Sequence, residues 1–225
     1  MTGPLIVAID GPSGAGKSTA ARALAERLHV PYIDTGAMYR AIGLAAREGG
    51  IGLPIEDPDS VAAIAESARL GVELAPHGNR ISIDGRDVTE EIRQPEISLY
   101  ASAVSAIPGV RRRLVAEQQR LARSGGGVME GRDIGTKVFP ETPFKFFLTA
   151  SAAARAERRT RELAERGTPQ PYAEVLADMK RRDRDDSSRA ESPLTLDGSY
   201  TVIDSSGRDV LDVVAEMERR VRAGG

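Results

Sequence analysis

Residues 5–9, Leu-Ile-Val-Ala-Ile, form an apolar run that passes into glycine-rich positions and then a helical pattern ending near residue 28. A run of that length, closed by a turn, reads as a buried strand. The same sequence of short apolar run and helical period recurs. Residues 31–34 predict a second strand, and residues 35–48 a helix ended by Gly49-Gly50. A Pro/Gly/Asp-rich boundary over 52–59 precedes a helix at about 60–68. The period then drops to two. Val72-Glu73-Leu74 and Ile81-Ser82-Ile83 alternate, His77-Gly78-Asn79 and Asp84-Gly85 are turns, and a small antiparallel meander is predicted.

Helical pattern returns over about 95–106 and 108–123, and Val128-Met129-Glu130 and residues 144–149 are core strands. Ser151 caps an arginine-rich helix to about 166. Another helix spans about 172–182, followed by a polar loop over 183–197, a strand over 200–204 and a helix over about 209–221. Without the meander, five short strands alternate with helices. That predicts an α/β fold: a doubly wound five-stranded parallel sheet with helices on both faces, carrying a small antiparallel β insertion.

Composition narrows the picture. The 225 residues suit a single domain with an embellishment. At 40% hydrophobic and 28% charged residues the chain reads as soluble and globular. Thirty-one basic against thirty-three acidic residues leave a net charge of −2, with no argument for nucleic acid or membrane. There is no cysteine, and the two histidines, His29 and His77, read as structural. The first apolar run is too short for a signal peptide or membrane span. A cytoplasmic protein is expected.

Candidate chemistry begins where the first strand ends. Gly11-Pro12-Ser13-Gly14-Ala15-Gly16-Lys17-Ser18 is a complete phosphate-binding loop, with Thr19 opening the helix beyond it. Its backbone N–H groups and the helix N-terminus favour an anion. Lys17 would reach the β- and γ-phosphates, and the Ser18 hydroxyl would hold Mg²⁺. The guanine-reading Asn/Thr-Lys-x-Asp motif is missing: Thr136-Lys137-Val138-Phe139 lacks the aspartate. Instead, Arg40, Arg132, Arg182 and Arg189 stand where strands and helices would deliver them to one cleft. Arginines there suit a second phosphate-bearing substrate. A kinase for a small acceptor and an NTP-driven switch are the competing readings, and the acceptor arginines favour the kinase.

Several stretches together resemble bacterial cytidylate kinases. They are Asp34-Thr35-Gly36-Ala37-Met38-Tyr39-Arg40, Gly131-Arg132-Asp133-Ile134-Gly135-Thr136 with Val138-Phe139-Pro140, and Arg182-Asp183 through Asp186 to Arg189 and Pro193-Leu194. The resemblance spans the chain and implies γ-phosphoryl transfer from ATP to CMP or dCMP in a monomer. It makes residues about 52–110 a monophosphate-binding insertion and about 155–168 an Arg-rich helical lid on a single domain. Arg40, Arg132 and Arg189 would clamp the CMP phosphate, with Thr35 nearby and Arg182 where donor and acceptor meet. Ser102, Arg111 and Asp133 would read cytosine, and Asp186 would accept from the ribose hydroxyls. Arg155, Arg158 and Arg159, three and four residues apart, would close over ATP from the lid, with Arg155 and Arg159 joining Lys17, Arg132 and Arg182 in catalysis. Read alone, Ser102 suits helix packing, Asp133 suits a pair with Arg132 or Arg111, and the lid arginines suit a solvated helix. Glu130 stands where many relatives have Asp, and is left out of the metal set.

Overall fold

The computed structural model describes residues 3–75, 78–123, 125–165, 167–188 and 194–224. Strand β1 (Ile6–Asp10) leads through the glycine-rich loop into helix α1 (Lys17–Leu28), then β2 (Tyr32–Asp34) and α2 (Thr35–Glu48). Helix α3 (Pro58–Ser67) is followed by β3 (Leu70–Ala75), β4 (Gly78–Ile83) and β5 (Arg86–Asp87), the predicted meander. Helices α4 (Pro95–Val104) and α5 (Pro108–Arg123) return the chain to the core. Strand β6 (Gly127–Gly131), a π-type turn (Ile134–Val138), β7 (Phe144–Thr149), α6 (Ala152–Glu165), α7 (Tyr172–Ser188), β8 (Thr201–Asp204) and α8 (Val210–Ala223) complete it.

The main sheet has the order β2-β6-β1-β7-β8, with every neighbouring pair parallel. From the central β1 the chain fills one side with β2 and β6 and the other with β7 and β8. Loops beyond the carboxyl ends of these strands therefore splay apart over a crevice. The side-chain alternation of each strand divides the interior. Val7, Ile9, Val128 and Phe146 pack with α1 and α8. Ala8, Ile33 and Met129 face a second core shared with α2, α4, α5 and the meander, to which Leu70, Ile81, Ile83 and Val88 belong. A third, smaller cluster (Ala156, Leu163, Val175 and Met179) joins α6 to α7.

One side chain fastens the meander to the sheet. Asn79, on β4, donates from Nδ2 to the Tyr32 carbonyl at 2.8 Å and accepts from the Asp34 N–H at 2.7 Å. Its amide thus pairs with the outer edge of β2 as another strand would. The sequence reading made Asn79 a turn residue, whereas it lies in β4; His77 falls outside the described residues. A larger difference concerns α7, which continues to Ser188, so residues 183–188 are helix and not loop. No glycine or proline interrupts that segment, and its Asp183 and Asp186 are held by Arg155 and Arg132.

Candidate active site

The glycine-rich loop is shaped by backbone that glycine alone tolerates. A Cβ on Gly11 would lie 2.0 Å from the Leu148 carbonyl oxygen, so the loop leaves β1 in direct contact with β7. Gly16 takes the left-handed conformation immediately before α1 and turns the helix N-terminus toward the loop interior. Lys17 is buried there, its Nζ donating to the Pro12 carbonyl at 2.9 Å. Burial, and then repulsion from Arg132, lower its pKa to about 7. The Ser18 and Thr19 side chains stand exposed at the first turn.

A second layer of charge faces Lys17. Arg132, just past β6, donates from Nε to Asp186 of α7 at 2.7 Å. Arg182, also on α7, is half-buried and makes no ion pair with a described residue. Burial and repulsion from Arg132 and Arg159 press its pKa down, opposed by Asp186 and Asp178. Lys17, Arg132, Arg182 and Arg159 therefore form a connected set of cations. Like charges held this close in a crevice make a site for polyanions.

The acceptor candidates occupy the neighbouring strand ends. Register sets Asp34 beside Glu130, and Glu130 beside Ile9. Asp34 caps α2 at the Ala37 N–H, 2.9 Å, and holds Arg40 Nη2 at 3.0 Å. Among the described residues the buried Arg40 Nε has no partner. Asp133 and Arg111 form a buried ion pair. Arg111 also donates to the Ser105 carbonyl at 3.3 Å and lies over the Tyr39 ring. Ser105 in turn donates to the Ser102 carbonyl at 2.7 Å, which links Ser102 to the same cluster. Of the two partners that sequence left open for Asp133, Arg111 is the one observed.

The structure gives five of the residues singled out in the sequence definite partners or places. Arg155 does not lie open on a lid. It is 4% exposed and donates to the Ser13 carbonyl (2.9 Å), the Ala150 carbonyl (3.0 Å) and both oxygens of Asp183. It ties the phosphate loop to α7 because it borders the apolar stripe of α6 that Ala156 and Leu163 form. Arg158 points instead to Ser205, and Arg159 pairs with Glu162 at 2.9 Å. The Thr35 hydroxyl is committed to the Glu130 carbonyl at 2.6 Å. Arg182 lies within a helix and does not border a loop. Arg189 and Pro193 lie outside the described residues.

Other features of the site emerge only in the structure. A pocket of about 200 Å³ lies beside the loop, lined by Ala15, Thr19, Leu148, Arg158, Ser205 and Arg208 among others. Its apolar floor and flanking guanidiniums suit a planar base. Ser205 Oγ, which donates to the Ala15 carbonyl at 2.9 Å, joins this pocket to the loop. Glu130 accepts from the Tyr32 hydroxyl at 2.8 Å. Asp183 was hidden in a segment read as loop. Asp10, the polar end of the first apolar run, is fully buried beneath the site.

Known proteins match this chain along nearly its whole length. The family described as Cytidylate kinase matches residues 7–223. A cytidylate kinase of Symbiobacterium thermophilum is 45% identical over 222 residues, 98% of this chain and 97% of its own. One of Caldanaerobacter subterraneus subsp. tengcongensis is 47% identical over 216 residues, covering 96% and 94%. Among solved structures, an uncharacterized protein from Eubacterium ventriosum aligns with a TM-score of 0.54 at 15% identity, covering 98% of this chain and 99% of that one. That similarity concerns the fold alone.

Proposed function

The chain belongs to the cytidylate kinase family, and from that premise we propose that it transfers the γ-phosphoryl group of ATP to CMP or dCMP. The observation that carries this reading is a chain of neighbouring cations, in which Arg132 repels Lys17 and Arg182, and Arg159 repels Arg182. They run from Lys17 at the glycine-rich loop to Arg132 just past β6, next in sequence to the Asp133 that pairs with Arg111, and on to Arg182 and Arg159 of α7 and α6. One side suits a triphosphate and the other a monophosphate with a polar base.

On this reading the bond from the γ-phosphorus to the β,γ-bridging oxygen breaks, and a bond to a CMP phosphate oxygen forms. The nucleophile is already ionised, so no side chain has to remove a proton. Charge spreads over the transferred oxygens, and catalysis is positioning plus electrostatic stabilisation. Lys17 leaves the Pro12 carbonyl for the β- and γ-phosphates. Arg40, Arg132 and Arg189 hold the acceptor phosphate, with Asp34 orienting Arg40. Arg182 and Arg159 meet the migrating group. Arg155 acts at a remove by fixing the loop to α7. Asp133 and Ser102 accept from the cytosine amino group while Arg111 donates to its ring acceptors. Asp186 stands by the ribose hydroxyls, and the Arg158–Ser205 pocket takes the adenine.

The exposed Ser18 hydroxyl is a hard oxygen ligand at the loop. It fits Mg²⁺, which keeps several waters and takes other ligands from substrate phosphates. When bound, the ion would neutralise phosphate charge. Among the described residues no helix is long and apolar enough to cross a membrane. The test is ADP formation from ATP and Mg²⁺ against CMP, dCMP, UMP, AMP, GMP, dTMP and shikimate. Turnover with CMP and dCMP well above the rest is expected. ADP formation independent of any acceptor would overturn the assignment.

A further inference from the structure

Asp10 takes no part in the transfer just described, yet its surroundings are unusually complete. Its carboxylate is fully buried at the end of β1, one residue before the phosphate loop. Oδ1 accepts from the Ile134 N–H at 2.9 Å. Oδ2 accepts from the Gly135 N–H at 2.8 Å and from the Tyr200 hydroxyl at 2.7 Å. Ile134 and Gly135 open the π-type turn, where backbone donors would otherwise lack partners. The fit is close on the far side too. A Cβ on Gly135 would lie 2.7 Å from the Tyr200 hydroxyl oxygen, so the turn sits directly on that ring. Burial raises the Asp10 pKa, while the three donors pull the other way.

We propose that Asp10 is a positioning residue for the acceptor half of the site: with Tyr200 it fixes the 131–135 turn, and so Arg132 and Asp133, against the strand that delivers the phosphate loop. Donor and acceptor contacts are thereby held in register through one carboxylate. A displacement of about 1 Å between reacting groups can cost about a hundredfold in rate. The inference rests on the reading of Arg132 and Asp133 as acceptor ligands.

Asp10→Asn tests it. Whichever way the amide turns, at least one of the three donors then faces an NH₂ group. The KM for CMP should rise and kcat fall, each about tenfold, while the KM for ATP stays within about twofold. Tyr200→Phe removes one donor and keeps the carboxylate, and should shift the same two quantities about threefold. A purely structural role would lower Tm and leave the kinetics of the folded enzyme unchanged; that result in both variants overturns the proposal. If Asp10→Asn does not fold, Tyr200→Phe decides alone. Asp133→Ala, measured alongside, separates the two claims. A raised KM for CMP in Asp133→Ala but not in the Asp10 and Tyr200 variants defeats this inference only. An unchanged KM in Asp133→Ala defeats the acceptor reading, and this inference with it.

Discussion

Lys17 sits close to its own titration point. With no phosphate bound, burial and Arg132 hold its pKa at about 7, far below that of a solvated lysine. Between about 7 and the ordinary lysine value the unfolded chain binds more protons than the folded one. This group therefore makes the stability of the free protein rise with pH across that window. Phosphate reverses the effect by favouring the charged form. ATP binding at about pH 8 should thus take up a proton, and affinity should weaken as pH rises above about 7. Calorimetric titrations in two buffers of different ionisation heat read the uptake. Equal heats would sink the claim, and Lys17→Met should abolish any difference. Arg155 and Arg159 offer a contrast on one helix. Arg155→Lys breaks a buried fork and should cost about 3 kcal/mol in a denaturant titration. Arg159→Ala, at a more exposed pair, should cost under about 0.5 kcal/mol while slowing turnover at least about tenfold. If the two variants lose stability equally, Arg155 is not the internal tie described above.

Elements differ in how much of them local sequence declares. The glycine-rich loop, the meander and the strand-helix alternation are legible because each depends on neighbours along the chain. The inward turn of Arg155 is not legible, because spacings of three and four show only that arginines share a face. Which face turns inward depends on α7, which lies elsewhere in the sequence. The signal was nonetheless present in α7 itself. Val175, Met179, Asp183 and Asp186 follow one helical stripe that begins apolar and ends in the carboxylates paired with Arg155 and Arg132. Asn79 was legible as a polar turn residue but not as the group that closes the edge of β2, because its partners lie more than forty residues away. Asn79→Ala should destabilise the protein by about 2 kcal/mol and speed hydrogen exchange at the Asp34 amide more than about tenfold. Unchanged exchange at that amide would show that the meander is held by other contacts.

At the scale of the molecule, charge is concentrated between the loop, α7 and the acceptor strands, and bringing two polyanions there should draw these parts together. Solution scattering with a non-hydrolysable ATP analogue and CMP should show a smaller radius of gyration than the free protein. Superimposable profiles would contradict closure. Closure need not disturb the interior equally, because the central sheet keeps two cores apart. Neighbouring residues of one strand belong to different cores: Val7 and Ile9 to that of α1 and α8, Ala8 to that of α2 and the meander. The sheet acts as a bulkhead. Volume lost or gained on one side is absorbed there, so substitutions on opposite faces should add in their effects instead of compounding. The two sets of residues interleave along each strand, yet each faces its own helices and is free to vary against them, with the buried Asp10 carboxylate tying the end of β1 to the turn after β6.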